Sequence, residues 1–165
     1  MNTTYKFVAC LIAGIFLTAC APKKEPSPDL IVVFKSEREL ALVRNNKIYK
    51  RYDIGLGQDP IGHKVQEGDS RTPEGHYIIS GRNPNSLYFL SLRISYPDED
   101  DIDYARELGV SPGNHIMIHG MKGKGTRREF LEQGDWTEGC IAVTNDEMHE
   151  LWHVIEDGTP ITILP

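Results

Sequence analysis

The chain alternates short apolar runs with clusters of turn residues, a spacing that predicts strands more often than helices. Leu30 to Phe34 is a β-branched run, and Glu39 to Val43 and Ile48 to Ile54 flank Asn45-Asn46, a pair suited to a tight hairpin. Gly55 through Gly75 is rich in glycine, proline and aspartate and reads as a loop. His76 to Ile79 and Tyr88 to Tyr96 predict two further strands, with Gly81 to Ser86 as the turn between them. The period then changes. Ile102, Ala105 and Leu108 share a helical face, Asp98 to Asp101 place acidic groups in the first turn, and Gly109 follows as a stop. Asn114 to His119 returns to strand, and Glu129 to Gln133 is a short helical turn. Thr144-Asn145-Asp146-Glu147 is a capping box that opens a helix with the apolar stripe Met148, Leu151, Trp152 and Ile155, and Pro160 to Leu164 is a last strand. The expected architecture is mainly β with a few short helices.

The N-terminus has a different pattern. Met1 to Lys6 carries one positive charge, Phe7 to Leu17 is almost wholly apolar, and Leu17-Thr18-Ala19-Cys20 ends the run in small residues. Residues 1–19 therefore read as a signal peptide, short for a membrane span. The four closing residues resemble the lipobox of bacterial lipoproteins, which makes Cys20 the expected lipidation site and first mature residue. Ala21 after it, in place of an inner-membrane retention aspartate, points by the same resemblance to a periplasmic domain anchored in the outer membrane. Residues 20–29, with Pro22, Pro26 and Pro28, read as a polar tether that should not fold, leaving residues 30–165 as one domain. The net charge of −6 becomes one unit more negative without Lys6, which disfavours a nucleic-acid partner.

Charge excludes; cysteine usage points. Of three cysteines, Cys10 leaves with the signal and Cys20 carries lipid, so Cys140 has no intramolecular partner. It follows Gly139 at the end of a polar run and precedes Ile141-Ala142-Val143, as a reactive group at the rim of a sheet would. A thiol nucleophile needs a base and donors for an oxyanion. His119, ending an apolar strand and followed by Gly120, is the candidate general acid and base, with Gly120 as backbone orienter of its ring and Gly139 as oxyanion backbone. His115 shares its strand face but lies roughly 13 Å away at about 3.3 Å per residue.

Competing motifs are weaker. Gly123-Lys124-Gly125-Thr126 lacks the upstream glycine of a phosphate loop, since Ile118 stands there, and the basic stretch reads better as a cationic cover over the site. His149-Glu150-Leu151-Trp152-His153 matches the zinc-protease pattern H-E-x-x-H, but both histidines flank the apolar stripe and the chain after His153 offers no further ligand at the expected place. His63 and His76 read as surface residues, and the acidic run Asp98 to Asp101 as a solvated helix start. No metal or cofactor is expected.

The resemblance is then specific. His119-Gly120, followed by Thr137-Glu138-Gly139-Cys140-Ile141, is similar to the signature of the L,D-transpeptidase catalytic domain family, the YkuD-like proteins. Arg71-Thr72-Pro73-Glu74-Gly75-His76-Tyr77 and Asp157-Gly158-Thr159-Pro160-Ile161 resemble two more segments of that family, in its order. The resemblance implies a sandwich-like β domain and a cysteine acyltransferase. The implied enzyme attacks peptidoglycan stem peptides at the diamino acid of position three, expels D-alanine, and passes the acyl group on through a thioester. Its acceptor would be a stem-peptide amine, an outer-membrane lipoprotein, or water, in which case the enzyme cuts. A zinc peptidase and a non-catalytic peptidoglycan-binding lipoprotein remain as alternatives. Arg82, Arg93, Lys124, Arg127 and Thr137 are the expected substrate-binding residues, chosen from charge and loop placement. The chain departs from the family in Glu138 and in Ala142-Val143, where other members carry different residues.

Overall fold

The computed structural model describes residues 26–165; the signal segment, Cys20 and the first part of the tether lie outside the described residues. Along the chain run β1 (Leu30–Phe34), β2 (Glu39–Arg44), β3 (Lys47–Asp53), β4 (Gly75–Ser86), β5 (Phe89–Ile94), α1 (Glu99–Glu107), β6 (Met117–His119), α2 (Arg127–Gln133), β7 (Ile141–Ala142), α3 (Asn145–Val154) and β8 (Pro160–Leu164). The strands join in the order β3-β2-β1-β8-β4-β5-β6-β7. Asn45 and Asn46 both take positive φ, as a two-residue hairpin twisted with its strands requires. Among the described residues no helix is long and apolar enough to cross a membrane.

Strand β4 is the hinge of the sheet. Its first residues, Gly75 to Ile78, pair with β8, and from Ile79 onward it pairs with β5, with register shifts on either side of Gly81 to Asn83. The two halves fold over one core. Ile31, Leu40 and Ile163 from one half, Ile79, Leu92 and Ile118 from the other, and Met148 and Leu151 of α3 form a single buried cluster. The sheet then closes on itself. Beyond β3 the chain continues into Gly55-Leu56-Gly57, where Gly55 exchanges two backbone hydrogen bonds with Ala142 of β7 (3.0 and 2.8 Å). Thr137 donates to the Leu56 carbonyl (3.1 Å) and accepts from the Gln58 N–H (3.0 Å). The result is the mainly β, sandwich-like architecture expected, with the two edges of the sheet brought together.

Several local expectations change. Gly81 to Ser86 is strand, and the turn is Leu87-Tyr88, because Arg82 anchors β4 to the end of α3 through Asp157 and the Trp152 and Ile155 carbonyls. Pro84, which has no N–H to give, sits where the register slips. Strand β6 is shorter than predicted because His115 turns the chain with φ +62. Helix α1 buries Asp101 and Ala105, whereas Ile102 and Leu108 are exposed. Asp101 caps the helix reciprocally with Asp98 and also accepts from Tyr77 Oη (3.0 Å) and lies 3.1 Å from His63 Nε2, so His63 is part of an internal polar network rather than a surface histidine. The Asp101 carboxylate beside it holds His63 above its ordinary value. The last tether residues are seated on the domain: Asp29 donates its N–H to Val43 and accepts from the Asn45 N–H, and Tyr49 donates to Pro26.

The predicted capping box at α3 is present, with Thr144 Oγ1 accepting from Glu147 N and donating to Glu147 Oε2 (2.6 Å). Thr144→Ala is expected to cost about 1 kcal/mol, read as a lower urea midpoint at unchanged slope.

Candidate active site

Cys140 stands one residue before β7, and β7 runs parallel to β6 with Ile118 opposite Ile141 and His119 opposite Ala142. The thiol therefore sits beside the start of β6, where its Sγ donates to the His115 carbonyl (3.5 Å) and the Met117 N–H points at it. Two residues earlier the turn is locked from inside. Thr137 Oγ1 accepts from Gly139 N (3.1 Å) and donates to the Cys140 carbonyl (2.7 Å), and Thr137 is buried. Gly139 has φ +122, and a Cβ there would lie 2.5 Å from the Arg71 carbonyl oxygen, so no other residue fits this corner.

Upstream, Asp135 fixes the approach to that turn. Its carboxylate takes Arg38 Nε (3.0 Å) and Nη2 (2.8 Å) in a fork and also accepts from the Leu56 N–H (2.9 Å). Trp136 follows and turns into the pocket that holds the second functional group, His119.

His119 ends β6, buried at 4% exposure. Its Nδ1 donates to the Gly120 carbonyl at 2.7 Å, which leaves Nε2 as the free acceptor. The ring is stacked on Tyr88 (4.7 Å between centroids) and meets Trp136 edge-on (5.5 Å). Gly120 is required by close approach: a Cβ would fall 2.5 Å from Asn145 Oδ1. That amide, at the first residue of α3, ties down the chain after His119 by accepting from Met121 N and donating to the Gly123 carbonyl.

His119, Tyr88, Trp136, Glu138 and Cys140 line one pocket of about 360 Å³. On the other side of Cys140 a second pocket of about 230 Å³ is lined by Lys64, Glu67, His115 and Glu138. Burial pushes the Cys140 thiol up; the Met117 N–H and the Lys64 ammonium act the other way, and the Glu138 carboxylate adds to the rise. Burial also pushes His119 down, opposed by its bond to Gly120. Both shifts favour the uncharged forms, a neutral thiol and a neutral imidazole.

The residues expected to bind substrate do not gather here. Arg82 is committed to α3, where it also lies over the Trp152 ring, and Arg127 pairs with Asp53 and Glu147. Arg93 is exposed on β5 opposite Met117, and Lys124 is exposed in the loop before α2. None of these four lines either pocket beside Cys140. Thr137 does line one, but its hydroxyl is spent inside the turn. The Gly139 N–H is spent as well, on Thr137; among the described residues no acceptor takes the Cys140 N–H, which becomes the donor beside the sulfur. The cation near the thiol is Lys64, overlooked because it lies in a loop far from Cys140 in sequence, and Tyr88 carried no signal of its own. His149 and His153 are exposed, with His153 Nδ1 against the His149 carbonyl (2.7 Å) and Glu150 paired to Lys50. Among the described residues no group of three or more His, Cys, Asp or Glu could hold a metal ion.

A thiol and an imidazole lining one pocket, where a folded β-sheet closes edge to edge, define a mainly β domain built around a cysteine-histidine site. The family model described as the L,D-transpeptidase catalytic domain, YkuD, matches residues 28–163, and the chain belongs to that family. It is 29% identical over 136 residues to YafK of Escherichia coli K12, covering 78% of this chain and 48% of YafK. It is 29% identical over 139 residues to YqjB of Bacillus subtilis 168, covering 84% and 72%. Both relatives are named provisionally as L,D-transpeptidases. Among solved structures it is similar to Pgp2 of Campylobacter jejuni, described as a helical cell shape determining protein, with 26% identity and a TM-score of 0.61. That match covers 81% of this chain and 46% of Pgp2, so the chain spans about half the length of YafK and of Pgp2.

The electrostatics give a measurable order. Alkylation of Cys140, followed by peptide mapping across pH, is expected to show a midpoint above that of a free thiol. Glu138→Gln, which removes a carboxylate that opposes ionisation, is expected to move the midpoint down and Lys64→Met to move it up. A midpoint at or below that of a free thiol in the wild type contradicts the burial argument.

Proposed function

We propose that this domain is a cysteine acyltransferase of the L,D-transpeptidase type acting on peptidoglycan stem peptides, in an exported protein held to the membrane by lipid at Cys20. The observation that carries the reading is the convergence of Cys140 and His119 on one pocket, with His119 presenting its unprotonated Nε2, in a chain of this family.

In the proposed reaction the stem-peptide carbonyl of the third residue settles beside Sγ. His119 Nε2 takes the thiol proton as sulfur bonds to the carbonyl carbon, and the Cys140 N–H stabilises the oxyanion. Collapse breaks the C–N bond; His119 returns the proton to the departing amine of D-alanine, and a thioester remains. An acceptor amine or water then attacks, gives its proton to His119, and releases the thiol. Transfer and hydrolysis share every step up to the thioester, so the acceptor alone separates joining from cutting. Tyr88 stacked on His119 and Trp136 edge-on to it keep the ring dry and neutral, and so ready to accept.

Incubation of the chain with defined muropeptides, read by mass spectrometry, is expected to give loss of D-alanine together with either crosslinked or shortened product. Cys140→Ala and His119→Ala are each expected to reduce turnover by about 10³-fold or more. A carbapenem is expected to add its mass to the wild type and not to Cys140→Ala. Full activity in Cys140→Ala would sink the reading, and chelator-sensitive activity would transfer the chemistry to a metal. The acid limb of the pH profile is expected below the ordinary histidine value, because a buried imidazole becomes cationic, and useless as a base, only at lower pH.

A further inference from the structure

Pro26 to Asp29 lead into the start of β1, and three hydrogen bonds seat them there. Tyr49 Oη donates to the Pro26 carbonyl (2.9 Å), Ser27 Oγ to Glu156 Oε1 (3.0 Å), and the Asp29 N–H to the Val43 carbonyl (2.9 Å). Their partners belong to the β2–β3 hairpin and to the residues just after α3. The other end of β1 lies on the active-site side of the molecule: Lys35, which follows β1, donates to the Thr72 carbonyl (2.9 Å), and the adjoining Arg71 carbonyl is what crowds Gly139. β3 and α3 run between the same two ends. β3 begins beside Asn45-Asn46 and leads to Gly55, which pairs with Ala142. α3 begins with Asn145, which holds the chain after His119, and stops just before Glu156. The stretch from Asn46 to Gly55 spans up to roughly 30 Å at about 3.3 Å per residue. The chain thus enters the domain far from Cys140.

The hairpin tip at this entry carries groups that the domain does not use. Arg44 and Lys47 stand opposite each other across the Asn45-Asn46 turn, both exposed, and among the described residues neither forms an ion pair. Ile48 follows at 41% exposure, and beside it the Tyr49 hydroxyl holds the incoming chain. Two cations at a leading edge, with an exposed aliphatic and a tyrosine behind them, are the mixture that a bilayer surface accepts. Apolar bodies reach the acyl boundary there, while long cationic side chains keep their charge among the headgroups. The acids nearby are already accepting hydrogen bonds, Asp29 Oδ2 from the Asn45 N–H (2.7 Å) and Glu156 from Ser27.

Little chain remains between this entry and the proposed lipid. Cys20 and Pro26 are six residues apart, a reach of at most about 22 Å at about 3.6 Å per residue. A lipid on Cys20 therefore keeps Pro26, and the hairpin on which Pro26 is seated, within that distance of the bilayer. At such range a weak contact is intramolecular and needs little affinity of its own to be occupied. We infer that the β2–β3 hairpin tip, Arg44 to Tyr49, docks on the surface of the bilayer that carries the Cys20 lipid, with anionic headgroups meeting Arg44 and Lys47. The pocket of Cys140 and His119, at the other end of β3 and α3, then faces away from the membrane. The inference rests on the lipid proposed at Cys20 and is independent of the acyl transfer.

The test uses the acylated full chain carrying Cys140→Ala, in vesicles of zwitterionic lipid with about one third phosphatidylglycerol. A donor dye is attached through Asn46→Cys or, at the active-site end, through Lys124→Cys, and energy transfer is read to an acceptor dye in the headgroup layer. Transfer from position 46 is expected to be at least about twice that from position 124, because the two lie at opposite ends of β3. Arg44→Gln with Lys47→Gln is expected to narrow that difference by about half or more, as are vesicles without phosphatidylglycerol. In the unlabelled chain, amide exchange over residues 44–49 is expected to slow by about threefold or more in the anionic vesicles relative to the neutral ones. Equal transfer from the two positions, the reverse order, or a difference that the double variant and the neutral vesicles leave unchanged overturns the inference. So does slowed exchange that grows with protein concentration in the absence of lipid, which assigns the tip to a second copy of the chain. Failure of the proposed anchoring has a different signature, a chain recovered from membranes with no acyl mass on Cys20.

Discussion

The structure depends on the closure of the sheet onto itself. The Thr137–Ala142 stretch is pinned on one side by β6 and on the other by the Gly55–Gln58 continuation of β3, through backbone hydrogen bonds that no side chain can substitute. Both edges of an eight-stranded sheet are thereby used to hold one turn. An open sheet would have left two edges for strangers to pair with; here the closure absorbs part of both and makes the position of Cys140 a property of the whole fold. The Arg38–Asp135 fork and the internal Thr137 hydroxyl act within that frame, each removing a freedom that the backbone ladder leaves.

Much of this was legible in the sequence. Most of the strands, the Asn45-Asn46 turn, the Thr144 capping box and the apolar stripe of α3 follow from local periodicity and turn chemistry, and the structure keeps them, although β4 runs on through the expected turn and β6 is shorter. The pairing of Gly139-Cys140 with His119-Gly120 was suggested by glycine placement, and the geometry explains both glycines: one occupies a corner against the Arg71 carbonyl, the other an approach to Asn145. Apart from the local turn at His115 that shortens β6, what the sequence did not show is long-range. Arg82 looked like a substrate ligand because charge can be counted in a sequence, whereas the α3 carbonyls that consume that charge lie seventy and more residues away. Lys64 was passed over for the same reason reversed: nothing local says that a loop lysine will be buried beside a thiol. Helix α1 shows how a helical face can be misassigned, since a buried polar network through His63, Tyr77 and Asp101 outweighed the apolar stripe.

The two functional groups are tuned by burial in opposite senses and arrive at the same neutral state. Tyr88 and Trp136 enclose the imidazole; the start of β6 and the His115 carbonyl enclose the thiol. Neither group needs a third charged residue to orient it, because the Gly120 carbonyl sets the ring and the Thr137 turn sets the sulfur. Lys64 and Glu67 line the second pocket beside Cys140, whose lining does not include His119, and Glu138 borders both pockets.

The raised thiol also bears on how long the protein lasts. Thiolate is the form that attacks peroxides and stray disulfides, so a cysteine whose thiol is kept protonated by burial reacts slowly with both. The half-buried sulfur, hydrogen-bonded to the His115 carbonyl, is therefore held in its less reactive form. In the proposed reaction it becomes a nucleophile only while a bound carbonyl draws its proton to His119, which would spare an unpaired cysteine from oxidants between turnovers.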